Sequence, residues 1–198
     1  MCSETKLGDY KYIKILKTGT FTVTSAPSEL ATVFVVGGGG AGGGFSHPGS
    51  TAGKGGNVTS QNVQLVVANY SITIGSGGTP NCGSGGTTSF VSDSSNVTAS
   101  GGSGCSTEGS IAGTIFNGTY YAGSGTSRVM WGWSQTPATG GGGTGGGYLG
   151  NGGWGAANTG GGGGSAGTGN CDNAWWDANE NNCDGGGGGS GIIIIKSK

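Results

Sequence analysis

Apolar and polar residues alternate along the first half of the chain in short runs, and most of these runs end in glycine. Thr20-Phe21-Thr22-Val23-Thr24 has period two, with Phe21 and Val23 on one face and threonines on the other, which predicts a strand with one wet face. Tyr10 to Leu16 is a less regular strand, and Ala26-Pro27-Ser28-Glu29 reads as a turn. Leu30 to Val36 is continuously apolar and β-branched, the pattern of a central strand covered on both faces. Val63, Leu65 and Val67 alternate, then Tyr70, Ile72 and Ile74, with Ala68-Asn69 as a hairpin-like junction. Shorter strands are predicted at Thr88–Val91, Asn96–Ala99, Ile111–Phe116 and Val129–Trp133. Ile192–Ile195 is the last, closed by Lys196-Ser197-Lys198, a polar end expected to blunt edge pairing. No window has a 3.6-residue period, so the expected fold is all-β with almost no α-helix.

Glycine tracts leave or enter these strands directly, after Val36, after Ile74 and before Ile192, and the longest stretch runs from Gly140 to Gly191. Glycine makes up 52 of 198 residues, against a usual share of ~7%. Tracts this rich in Gly, Ser, Thr and Asn bury no side-chain core, so they are either linkers or segments whose backbones pack on one another. Net charge is only −1, and the chain carries five Trp, six Tyr and five Phe, which is not the composition of a disordered chain. With four Pro and no strict three-residue period, collagen is excluded. The reading favoured over flexible linkers is a bundle of extended, three-residue-per-turn polyglycine helices. Such helices have no internal hydrogen bonds, and here they would satisfy their N–H and C=O groups across neighbours.

The order GTFTVTSAPSELATVFVVGGGGAGGG, NYSITIGSGG, GGTTSF, VTASGGSG and the terminal GIIII resembles the glycine-rich domains of bacteriophage tail and virion proteins. The resemblance covers about residues 19–104 and 185–195. The C-terminal half is similar to the distal adhesins of T-even-like phage long tail fibres, in which glycine-rich motifs form a polyglycine layer and the variable segments between them bind receptor. It departs from them in lacking an obvious separate fibre-attachment domain. Glycine-rich domains also occur in animal receptor ectodomains, which supports the fold more than the function. The resemblance implies a single domain over 1–198, a jelly-roll-like antiparallel β-sandwich with a layer of polyglycine-II helices. Residues 1–9 are expected to be flexible or to serve attachment, and residues 171–184 to form a loop insert. The implied setting is the virion, after synthesis in the host cytoplasm without a signal peptide. The implied partners are a host cell-surface receptor, other virion proteins and further copies of the chain, for which a trimer is one arrangement.

Candidate chemistry is sparse. The sole histidine, His47, lies in Ser46-His47-Pro48-Gly49 with no nucleophile or orienting partner in its sequence context. No GxxxxGK[ST] phosphate loop occurs, so no catalytic residue and no cofactor are assigned. The balanced charge gives no case for nucleic acid, and no apolar run reaches the length of a membrane span. Asp172, Asp177, Glu180 and Asp184 crowd the insert with oxygen ligands, but their spacing is not that of an EF-hand, so calcium is only a minor alternative to a solvated acidic loop. Of five cysteines, Cys171 with Cys183 would close the insert and Cys82 with Cys105 would tie two loops, leaving Cys2.

Recognition is the chemistry left. Trp175, Trp176 and Asp177 sit mid-insert, and Tyr120, Tyr121, Arg128, Trp131 and Trp133 form a second aromatic segment. These are the residue types that interfaces enrich, although Trp131 and Trp133 at period two could equally fill a core. The expected function is therefore a non-enzymatic tail-fibre or tail-tip adhesin. The alternative is a structural virion protein, a capsid decoration or self-assembling fibre subunit, in which the same aromatics would be subunit contacts. An ice-binding protein would need regular Gly-x-x repeats, which these irregular runs do not supply.

Overall fold

The computed structural model describes residues 2–44, 51–106, 113–127, 138–147, 150–167 and 183–198. Among them there is no helix. The strands are β1 (Cys2–Leu7), β2 (Tyr10–Ile15), β3 (Gly19–Val23), β4 (Ala31–Val36), β5 (Val58–Val63), β6 (Ala68–Thr73), β7 (Thr88–Ser92), β8 (Ser95–Ala99), β9 (Thr114–Phe116), β10 (Thr119–Tyr121) and β11 (Ile192–Ser197). They form sheets of order β1-β2-β11-β4-β5, β3-β6-β7-β8 and β10-β9, and every pairing is antiparallel.

The two larger sheets share one apolar cluster. Val33, Val35, Ile193 and Ile195 of the five-stranded sheet meet Tyr70, Ile72, Phe90 and Val97 of the four-stranded one. The alternate residues Phe34, Val36, Ile192 and Ile194 form a second cluster with Tyr12 and Tyr121, under the β9–β10 hairpin. This accounts for the unbroken apolar runs of β4 and β11, since each strand is buried on both faces. Phe34 stacks on Phe116 at 4.4 Å between ring centroids, and Tyr70 stacks on Phe90 at 4.6 Å.

Two expectations are corrected. β11 is not an edge strand: it lies between β2 and β4, and its polar end at Lys196 and Ser197 still pairs with β2. The alternating run at Val63, Leu65 and Val67 does not form a hairpin with the next strand. β5 ends at Val63 and β6 begins at Ala68 in the other sheet. The linking loop is fixed instead by buried Leu65 and by the Tyr70 hydroxyl, which accepts from Val66 N at 3.0 Å and donates to Val66 O at 3.3 Å. Residues 2–7 form edge strand β1, paired with β2 from Cys2↔Ile15 to Leu7↔Tyr10. The strand expected at Val129–Trp133 lies outside the described residues.

The glycine tracts form a hydrogen-bonded array on the end of the sheets. Gly37–Gly43 shows its rule. The amides of Gly37, Gly40 and Gly43 donate to Asn57, Lys54 and Thr51; those of Gly38 and Ala41 to Gly86 and Gly83; those of Gly39 and Gly42 to Gly189 and Gly186. The carbonyls follow the same period, accepting from Gly102 and Cys105, from Gly78 and Cys82, and from Gly163 and Ala166. Every third residue thus meets the same neighbour. Gly162–Gly167 repeats the rule, donating to Gly123 and Thr126, to Gly40 and Gly43, and to Gly153 and Gly150. Both segments are buried throughout.

Glycine is needed here for closeness rather than for unusual dihedrals, because no residue of 37–43 or 161–167 has positive φ. A Cβ on Gly39 would fall inside the carbonyl oxygen of Gly161, and one on Gly163 inside that of Gly186. Where side chains do occur, short hydroxyls replace carbonyls as acceptors: Ser124 Oγ from Gly55 N (3.2 Å) and Thr126 Oγ1 from Gly145 N (2.7 Å). We expect Gly39→Ala and Gly163→Ala each to destabilise the protein by ~3 kcal/mol in chemical denaturation, the upper end of overpacking costs. Gly147→Ala, where nothing lies within 4 Å of the added Cβ, should change it by less than ~0.5 kcal/mol.

Candidate functional site at the far end of the array

The chain leaves the sheets from β4, β6, β8 and β10 and returns into β5, β7, β9 and β11. The turns at 139–141 and 157–160 lie beside the strand ends, near Val36 and Ala122, and other turns and joins gather at the end of the array away from the strands. Described residues there include Gly44, Asn81, Cys82, Cys105, Gly147, Asn151, Gly167, Cys183 and Asp184. A polar knot binds them. Asn81 Nδ2 donates to Asp184 Oδ1 at 2.9 Å, and Gly185 N donates to Asn81 Oδ1 at 3.2 Å. Asp184 N donates to Asn151 Oδ1 at 3.0 Å, and Gly152 N to the Asp184 carbonyl at 2.9 Å. Asn81 and Cys82 have positive φ, a conformation Asn tolerates well, and this turns the chain back between two tracts.

Cys82 and Cys105 are disulfide-bonded with Cα atoms 4.8 Å apart, and their amides donate to Gly42 and Ala41 of the central segment. Cys183 is buried and also disulfide-bonded. Its expected partner Cys171 lies outside the described residues, as do Asp172, Trp175, Trp176, Asp177 and Glu180. Cys2 is free and exposed. The flanks of residues 168–182 are held at this end: Gly167 is buried and donates to Gly150 O at 2.8 Å, and buried Cys183 leads into the knot. No cluster of three or more His, Cys, Asp or Glu suited to a metal occurs among the described residues.

The second aromatic segment divides. Tyr120 is 46% exposed and sits opposite exposed Ile115 on the outer side of the hairpin. Tyr121 is 4% exposed, its ring edge-on to Phe34 at 5.6 Å, so it packs in the core. Adjacent strand residues face opposite ways, and only packing decides which faces in. Neither tyrosine reaches the far end, because residues 122–127 carry the chain there after β10. Arg128, Trp131 and Trp133 lie outside the described residues.

Trp154 is the aromatic that sequence reasoning overlooked. It is 67% exposed, and its ring covers Gly187 on the flank of the array. The available signal was Gly152-Gly153-Trp154-Gly155, a large side chain within a close-packed tract, which can only point outward.

Burial pushes the Tyr121 hydroxyl above its ordinary pKa of 10.0, partly offset by a hydrogen bond with the Thr119 side chain. No family model matches the chain, and no curated protein is significantly similar to it.

Two outcomes follow. The Cys82→Ser/Cys105→Ser variant should lose ~3 kcal/mol in denaturant unfolding, the chain-entropy value for a loop of this separation of 23. A raised phenol pKa leaves stability untouched below the unfolded value and removes it as pH climbs from about 10 toward the folded value. Unfolding free energy should therefore fall as pH rises above about 10, and Tyr121→Phe should flatten part of that fall.

Proposed function

We propose that this is a non-enzymatic bacteriophage virion protein, a tail-fibre or tail-tip adhesin, in which a scaffold presents receptor-binding loops. In this reading the two larger sheets are a jelly-roll-like β-sandwich and the array is a layer of polyglycine-II helices. The threefold rhythm of the hydrogen bonds supports the latter, since that helix has three residues per turn.

The observation that carries the functional reading is the anchoring of Gly167 and Cys183. Both flanks of the tryptophan-bearing insert are buried at the end of the array remote from the sheets. An anchored base lowers the entropy that a binding loop loses on contact. Trp175, Trp176 and Asp177 then offer aromatic and acidic groups to a host cell-surface receptor, while the sheets face other virion proteins or further copies of the chain.

The test is the Trp175→Ala/Trp176→Ala double variant in intact virions. We expect adsorption to host cells to fall at least tenfold with the melting temperature of the purified protein unchanged. Normal adsorption by a folded variant removes the insert from the claim, and a loss of assembly instead favours the structural-subunit reading.

A further inference from the structure

The two larger sheets are closed on one side and open on the other. On the closed side β5 packs on β8, Thr59 Oγ1 donates to Thr98 O at 2.7 Å, and Asn57 Nδ2 donates to Ser100 Oγ at 2.6 Å. On the open side the five-stranded sheet ends in β1, exposed along its whole length, and the four-stranded sheet ends in β3. Between them lies a groove of about 450 Å³. Ile13, Phe21, Val23 and Leu65 line it, and Ile13 and Phe21 are only partly covered, so the shared apolar cluster is open to solvent here.

We propose that this groove takes one extended peptide segment of another polypeptide, added as a fifth strand to the free edge of β3. This inference is independent of the receptor reading. The edge itself argues for a strand. β3 reads Gly-Thr-Phe-Thr-Val, with no charge, proline or bulge to deter pairing, and among the described residues its backbone pairs only with β6. β1, by contrast, carries Glu4 and Lys6.

The sheets are aligned at β5 and β8, and one has five strands and the other four, so β1 overhangs β3 by about one strand spacing, ~4.8 Å. That width excludes the self-pairing of β3 with β3 of a second copy: the overhanging β1 strands of both copies would claim the same space. The rim charges are already paired, Lys11 with Glu4 at 3.0 Å and Lys198 with Glu29 at 3.2 Å, so the incoming strand is uncharged. Its apolar side chains alternate with polar ones, the former covering Ile13 and Phe21 and the latter continuing the Thr20–Thr22 face.

Cys2, a free thiol lining the groove, allows a direct test with the wild-type protein. The probe is a ten-residue alternating Val-Thr peptide with lysine ends and a terminal cysteine activated as a thiopyridyl mixed disulfide. The Cys2 thiolate attacks the peptide sulfur, and thiopyridone leaves. We expect Cys2 labelling, read by mass spectrometry, to be at least tenfold faster than with the same peptide N-methylated at its backbone amides. Hydrogen exchange should slow in residues 19–23 of the conjugate. Equal rates for the two peptides overturn the proposal. So does a dimer by light scattering, without peptide, whose β3 amides are protected, because a second copy would then be the occupant.

Discussion

Backbone amides and carbonyls that find one another across segments without side chains are the interaction on which the rest of this protein depends. A conventional core offsets the entropy of folding by burying apolar side chains. Here the tracts bury peptide groups, and a buried peptide group is tolerable only when paired. The pairing is systematic. Gly37–Gly43 donates from every residue and meets each neighbour once every three residues, and the carbonyls of residues 38–43 accept with the same period. One methyl group at Gly39 would displace a neighbouring carbonyl. Glycine, costly to order in isolation, is therefore what lets the array close at positions such as Gly39.

The sheets supply what the array lacks. β4 and β11 are apolar on both faces because one face meets the four-stranded sheet and the other the β9–β10 hairpin. From this side-chain core the tracts start with their ends fixed, which lowers the entropy of aligning them. At the other end the Cys82–Cys105 disulfide and the Asn81–Asp184–Asn151 knot pin the turns. The array is thus tied at both ends, which is the arrangement the proposed presentation of loops requires. The open flank between β1 and β3 is a separate feature, on the side of the sheets rather than at the end of the array.

Most strands were legible in the sequence because alternation and β-branching report local burial. β2, β3, β4, β7, β8 and β11 fall within a few residues of the expected runs. The misreadings share a cause. Val63–Val67 alternates as a strand does, yet the chain crosses between sheets there, and a crossing has no period of its own. Tyr120 and Tyr121 are chemically alike, and only the hairpin's placement on Phe34 buries one and exposes the other. β1 lies in a polar, charged run, and its pairing with β2 is a matter of backbone rather than pattern.

The sequence by itself determined that this protein is all-β and that its glycine tracts begin and end at strands, because side-chain period and the absence of Cβ are local properties. It also marked Cys82 with Cys105, and the tryptophans as the residues to question. Only the tertiary structure decided which tracts are neighbours, that two of them are surrounded on every side, and that β11 lies within a sheet. It also placed Trp154 on the outside, and it left one flank of the sheets open. Backbone pairing between identical glycines carries no sequence label, so register and neighbourhood are settled by the strands that launch each tract and by the close packing of the whole.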